Sequence, residues 1–199
     1  MQSGKSTVAE YLVWKHDFVR VSFAGPIKRM ARVFLEEFYK DEHHLNRMLG
    51  GDLKETSMQT AGLEASPRWI MQTLGTEWGR QLIDNEVWVK IAKKHIHEAL
   101  SSGRSVVIDD MRFCNEYLLV KTAFRGQAWE VLRPNVVGST HQSEGGLRNR
   151  LFDVTLQNSG TRDDLYRLTD SALGISTPLQ HTPGSPSALP MSSPGPGPR

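Results

Sequence analysis

The head of the chain, Gly4-Lys5-Ser6-Thr7, places a glycine, a cation and two hydroxyls in the order that suits a bound phosphate. In a phosphate-binding loop of pattern G-x-x-x-x-G-K-[ST], backbone N–H groups wrap the phosphates and the lysine neutralises their charge. The hydroxyl after the lysine coordinates magnesium, and the N-terminus of the following helix adds a favourable dipole. Gly4, Lys5 and Ser6 fill the last three defined positions of that pattern, and Thr7 follows. The position of its first glycine, five places before Gly4, precedes Met1, and so does the strand that leads into such a loop. The expectation is a nucleotide-phosphate site at Gly4, Lys5, Ser6 and Thr7. The plainer alternative is an ordinary helix start.

Three further groups of residues carry chemistry. Val106 to Phe113 reads as a β-branched run ending in Asp109-Asp110, with Arg112 just beyond. Carboxylates at the C-terminal end of a buried strand lie where α/β sheets bind ligands. Asp109 is therefore a candidate magnesium ligand with Ser6, and Arg112 a bidentate phosphate partner. The competing reading is a charged turn in which Arg112 pairs with Asp110 or Glu116. Arg68 and Gln72 stand four residues apart, on one face of an expected helix, where a guanidinium and an amide could hold a phosphate and a base edge. The alternative there is a solvated amphipathic helix, with Trp69 and Trp78 as core or wall residues. Arg133, in Leu132-Arg133-Pro134-Asn135, is a candidate catalytic or lid arginine, and His141 a capping or orienting residue.

These groups need elements to position them. A helix is expected over Ser6–Lys15, a strand over Phe18–Phe23, and a helix from Pro26 with a stripe at Ile27, Met30, Ala31, Phe34, Leu35 and Phe38. Residues 41–66 lose that periodicity and read as an irregular or mobile insert with some helix. Helices follow over Pro67–Trp78 and over Glu86–Leu100, the latter lined by Val87, Ile91 and Ala99. Ser105–Ile108 has the profile of a buried parallel strand, and Asn115–Phe124 of a helix. Gln127–Leu132 and Leu151–Leu156 are strand candidates. Thr161 and Asp164 form a capping box opening a last helix with Leu165 and Leu168 buried. Strands alternating with helices indicate a parallel α/β sheet.

Composition narrows the class. The 199 residues suffice for one domain, here 1–174, plus a tail over 175–199. The tail holds seven of the ten prolines and five serines, a composition that cannot form a packed core. A formal net charge of +2 gives no reason to invoke a nucleic-acid or membrane surface. The single cysteine, Cys114, excludes an internal disulfide and suits a reducing compartment, and no apolar run is long enough to span a bilayer. A cytoplasmic protein is expected.

Taken in order, several strings resemble one family. They are Phe23-Ala24-Gly25-Pro26-Ile27-Lys28, Arg68 to Arg80 (R-x-[LI]-[ML]-Q-x-L-G-T-E-x-x-R), and Asp110, Arg112, Phe113, Asn115 and Glu116 (D-x-R-F-x-N-E). His141, Ser143 and Glu144, then Asn158, Gly160 and Thr161, continue the series. The chain resembles the phage-type deoxynucleoside monophosphate kinases of the P-loop kinase superfamily, over roughly Gly4 to Leu173. The resemblance implies a P-loop NTPase-like three-layer sandwich with a mainly parallel sheet whose first, central strand is missing from this chain. It implies transfer of the γ-phosphoryl of ATP to a deoxynucleoside 5′-monophosphate, with magnesium. Lys5 and Ser6 would serve ATP and magnesium, Arg68, Gln72 and Arg112 would bind the acceptor, and Lys5, Arg112 and Arg133 would be catalytic. ATP and the monophosphate are the implied partners, a homodimer the implied assembly, and the host cytoplasm the location if the gene is phage-borne. Residues 41–66 and Pro134–Gly146 are the candidate closing segments. Without the strand and the front of the loop, the chain as written is expected to be unstable or poorly active, and a restored upstream segment to rescue it. The alternatives are a P-loop kinase for another small phosphate acceptor and an inactive nucleotide-binding remnant.

Overall fold

Gly4 leads directly into α1 (Lys5–His16), and the expected alternation of helix and strand follows. A computed structural model describes residues 3–134, 147 and 150–175. After α1 come β1 (Val19–Arg20), α2 (Gly25–Glu36), α3 (Glu42–Gly50), α4 (Pro67–Thr73) and α5 (Val87–Ser101). Then come β2 (Val106–Val107), α6 (Cys114–Leu118), β3 (Trp129–Leu132), β4 (Val154–Gln157) and α7 (Arg162–Ala172). α4 continues through Leu74–Ile83, and α6 through Leu119–Ala123, in wide π-type turns.

Local chemistry explains the helix starts. Pro26 and Pro67 occupy first-turn positions, where a missing N–H costs nothing. Ser66 caps α4 by accepting from the Trp69 N–H at 3.2 Å. The capping box at α7 forms as expected: the Asp164 N–H donates to Thr161 Oγ1 at 3.2 Å and the Thr161 N–H to Asp164 Oδ2 at 2.8 Å.

Both strand pairs are parallel. Val19 and Arg20 of β1 face Val106 and Val107 of β2, and Trp129–Leu132 of β3 face Val154–Gln157 of β4. Among the described residues these remain two two-stranded sheets, an α/β arrangement. α1 links them: Val8 and Leu12 are buried with Val131, Leu156 and Leu165, and Phe18 and Val107 pack on the same cluster. The helix that carries Lys5 and Ser6 is thus seated on residues from both pairs. A second core joins Val21 and Phe23 to Val89, Ala92, Ile96 and Leu119.

The structure changes several expectations. Val106, Val107 and Ile108, read as a fully buried strand, are only half-buried. β2 hydrogen-bonds on one side alone, to β1, so its other edge has no strand partner among the described residues. The buried face of α5 is Trp88, Val89, Ala92, Ile96 and Ala99, rather than Val87, Ile91 and Ala99. Trp88 turns inward because its indole N–H donates to the Gly75 carbonyl at 2.7 Å and its ring occupies the space a Cβ on Gly79 would need. Leu168 is exposed on α7, whose inner face presents Leu165 and Thr169. Trp69 and Trp78 are exposed, so neither is a core residue. Residues 41–66 hold α3, capped by Asp41, and two short 3-10 turns, with Leu45, Met48, Leu49 and Met58 buried against Ala31 and Leu35 of α2. The tail beyond residue 175 and the loop from residue 135 to 146, with His141, Ser143 and Glu144, lie outside the described residues.

α1 and α7 also share a polar contact. The Tyr11 hydroxyl donates to Asp170 Oδ2 at 2.9 Å, and His16 Nε2 lies 2.8 Å from Asp170 Oδ1. Burial, then the bond to Asp170, pushes the Tyr11 phenol up from 10.0 to about 12. A group whose pKa rises on folding stabilises the protein below its unfolded value and loses that contribution as pH climbs through the folded one. An ultraviolet titration is therefore expected to show one phenol ionising near pH 12, accompanied by falling stability. That phenol should vanish in Tyr11→Phe; its persistence there would refute the assignment.

Candidate functional site

Site residues gather where α1 begins and the parallel strands end. Gly4 adopts φ +109°, and a Cβ there would lie 2.6 Å from Asn158 Nδ2, so the position demands glycine on two counts. The Asn158 amide donates to the Ser3 carbonyl at 2.7 Å, fastening the turn before α1 to the end of β4. The Asn158 N–H in turn donates to the Leu132 carbonyl at 2.7 Å, at the end of β3. Arg133, the next residue after β3, is exposed at that same end. Lys5 is the first residue of α1 and is exposed, while Thr7 is half-buried.

Ser6 and Asp109, predicted from separate strings to share magnesium, meet directly: Ser6 Oγ donates to Asp109 Oδ2 at 2.8 Å. Arg20, which sequence reasoning missed, joins them. Its Nε donates to Asp109 Oδ1 at 2.9 Å and its Nη2 to Oδ2 at 2.5 Å. The Asp109 side chain is only 7% exposed, against 40% for Arg20, so the guanidinium bridges a buried carboxylate to the surface. The one available signal was the position of Arg20 at the C-terminal end of a parallel strand, where ligand-facing residues collect.

Asp110 has a different task. Its carboxylate accepts from Ser22 Oγ at 2.6 Å, from the Phe23 N–H at 3.1 Å and from the Ala24 N–H at 2.9 Å, tying the end of β2 to the start of α2. Glu116 accepts from the N–H groups of Arg112 and Phe113 at 2.7 and 3.0 Å, and from Arg80 Nη2 at 2.8 Å. Burial, helped by the nearby Asp110 charge, leaves the Glu116 carboxyl raised overall, against the two backbone N–H groups and Arg80, which act to lower it. Donors on both oxygens fit the carboxylate form. The Arg112 guanidinium therefore pairs with neither Asp110 nor Glu116, the charged-turn alternative. It is exposed and has no ion pair among the described residues.

Arg68 and Gln72 lie on α4, whose other face packs Ile70 and Met71 against α2 and α3. Gln72 is exposed. Arg68 Nε forms an ion pair with Glu55 without the alignment of a hydrogen bond. No hydrogen bond or ion pair joins Arg68, Gln72 or Arg112 to Gly4–Thr7 among the described residues. The site thus has two parts: a helix N-terminus with Lys5, Ser6 and Asp109, and a set of cations and an amide carried by α4 and the loop after β2. Such an arrangement can hold two phosphate-bearing groups by charge and hydrogen bonding.

The family model described as deoxynucleotide monophosphate kinase matches residues 51–168, more than half of the chain. The chain belongs to this family. The matched segment contains Arg68, Gln72, Asp109, Arg112 and Arg133, and starts after Gly4–Thr7. A protein of Acanthamoeba polyphaga mimivirus, provisionally named a deoxynucleotide monophosphate kinase, is 29% identical over 182 residues, 82% of this chain and 87% of that protein. The deoxynucleoside-5′-monophosphate kinase of Escherichia phage T5 is 37% identical over 127 residues, 59% of this chain and 49% of that protein. The aligned part thus spans about half of the phage relative. Among the described residues no helix of this deoxynucleotide monophosphate kinase family member is long and apolar enough to cross a membrane.

Proposed function

We propose that the chain transfers the γ-phosphoryl group of ATP to the 5′-phosphate of a deoxynucleoside monophosphate. An acceptor phosphate oxygen forms the new bond to the γ-phosphorus, the bond to the β–γ bridging oxygen breaks, and ADP and the deoxynucleoside diphosphate leave. The observation that carries this reading is the meeting of Ser6 with Asp109 beside the Gly4-Lys5 helix start, together with the exposed Arg112, which has no ion pair among the described residues, on a pinned loop.

Each residue then has a role. The N–H groups at the start of α1 and the Lys5 ammonium bind the ATP phosphates, and Thr7 completes that turn. Arg68 and Arg112 bind the acceptor phosphate, with Gln72 at the base edge. Arg133 neutralises charge that develops between the two phosphates. Glu55, from segment 41–66, holds Arg68 on the acceptor side. Positioning and charge neutralisation supply the catalysis, since phosphoryl transfer asks for little covalent chemistry from the protein. The fold we assign is the P-loop three-layer sandwich, with the two strand pairs as parts of one sheet; α1 packing on both pairs supports it. A cytoplasmic homodimer completes the reading.

Magnesium fits the residues present. Ser6 and Asp109 converge two hard oxygens, which a cation would take over from the Ser6 and Arg20 donors now on the Asp109 carboxylate, and no group of three or more His, Cys, Asp or Glu ligands occurs among the described residues. Magnesium is commonly held by one or two protein oxygens plus phosphates rather than by an all-protein cage. Bound there, it would neutralise phosphate charge. Asp109→Asn is expected to raise the magnesium needed for half-maximal rate by about 10- to 100-fold. An unchanged requirement would remove Asp109 from the metal site. The function itself is tested by ADP formation with ATP and a panel of the four deoxynucleoside monophosphates and non-nucleotide phosphate acceptors. Preference for a non-nucleotide acceptor would overturn it.

A further inference from the structure

Arg112 presents a contrast within one short loop: its backbone is pinned by a buried carboxylate while its guanidinium is exposed. The pin is Glu116, whose side chain is 3% exposed and whose Oε2 accepts from the N–H groups of both Arg112 and Phe113. Its other oxygen takes Arg80 Nη2. Arg80, 12% exposed, lies over the next residue of the loop, its Cζ 4.1 Å from the Phe113 ring centroid. A further Arg80 nitrogen, Nη1, donates to the Asn85 carbonyl at 3.1 Å. Each group that holds the loop is therefore itself held.

Arg80 comes from a distant part of the chain, in the same helical run as Arg68 and Gln72. That run changes to wide turns at Leu74 and keeps them to Ile83, after which the Asp84 N–H reaches back to the Gly79 carbonyl at 2.9 Å. Such turns alter the angle per residue and so redirect the side chains that follow. Gly75 and Gly79 let the widened stretch lie close to Ile27 of α2 and Trp88 of α5. α2 is fastened at its start by Asp110, two residues before Arg112. The connections close a circuit: Asp110 to α2, α2 to α4, α4 onward to Arg80, Arg80 to Glu116, and Glu116 back to Arg112.

We propose that Arg80 and Glu116 are positioning residues that set the Arg112 guanidinium relative to Arg68 and Gln72, and so fix the geometry of the acceptor-phosphate site. This rests on Arg112 being an acceptor ligand, as proposed above. A buried pair with a fork of guanidinium donors is suited to the task because it fixes orientation as well as distance. Neither residue touches the acceptor, and their effect passes through Arg112. Affinity for ATP, bound at the start of α1, is not governed by this pair.

The test is equilibrium binding of the preferred deoxynucleoside monophosphate, and separately of ATP, to the full chain and to Arg112→Met, Arg80→Met and the double variant. Arg112→Met and Arg80→Met are each expected to weaken the acceptor by about tenfold or more, with ATP affinity changed less than about twofold. In the double variant the acceptor should bind no more than about twofold more weakly than to Arg112→Met alone, because residues acting through one another are non-additive. Arg80→Lys keeps the charge but loses the fork. It should fall between parent and Arg80→Met, and it replaces Arg80→Met in the cycle if that variant fails to fold. Additive losses, or equal losses for ATP, would reduce Arg80 to general structural support and overturn the inference. Unchanged acceptor binding in Arg112→Met would instead overturn the acceptor reading of Arg112 and this inference with it.

Discussion

Replacing Lys5 with methionine is expected to lower kcat for phosphoryl transfer by about 100- to 1,000-fold, the range seen when one preorganised charge-stabilising donor is removed. Lys5 stands at the first position of α1, where the helix dipole already favours an anion. On the proposed function, an exposed ammonium there would meet phosphate charge that grows as the γ-phosphoryl leaves. Methionine keeps the length of the stem and removes only the charge. Because Lys5 is exposed at a helix start, the thermal midpoint should stay where it is. Steady-state kinetics and a melting curve on the same preparation check both halves. A kcat within tenfold of the parent would exclude Lys5 from the reacting phosphates.

The second large effect is expected at Gly4, and it reverses the pattern: stability and ATP binding fall together. Alanine at φ +109° takes on backbone strain of about 1–3 kcal/mol. Its Cβ would also lie 2.6 Å from Asn158 Nδ2 and 3.1 Å from Leu165 Cδ2. Relief requires Asn158 to leave the Ser3 carbonyl, which frees the turn from β4. At roughly 2–4 °C per kcal/mol for a chain of this size, the thermal midpoint should drop by several degrees. Asn158→Ala separates the two causes. It removes the contact but not the strain, so Gly4→Ala in that background should lose less than in the parent. Equal losses in both backgrounds would show that Asn158 does not constrain the turn.

Much of this could be read from the chain alone, where the physics is local. Thr161 and Asp164 form their capping box because both partners lie within one turn. Pro26 and Pro67 start helices because ring geometry sets φ whatever the surroundings. The Gly-Lys-Ser-Thr string at a helix start, the acidic pair after a β-branched run and the Arg68–Gln72 spacing likewise depend on neighbours only a few residues away. Errors arose where a residue's setting is decided from afar. The α5 face is displaced because the Trp88 indole reaches Gly75, thirteen residues back in the chain. β2 is half-buried because burial depends on which strands flank it, and periodicity within the strand carries no record of its neighbours.

The same division runs through the site. Residue types and order by themselves pointed to the proposed chemistry: a helix start suited to phosphate, a carboxylate suited to a cation, and arginines suited to an acceptor. Tertiary structure alone decided the partnerships. Asp109 and Asp110 are adjacent in sequence and chemically identical, yet one meets Ser6 and Arg20 while the other fastens the start of α2. Glu116 rather than Asp110 governs the Arg112 loop, and does so with an arginine 36 residues away. Ion pairs and hydrogen bonds act over about 3 Å. Which groups come that close is set by how α2, α4 and the strands pack, and no local pattern in the chain encodes it.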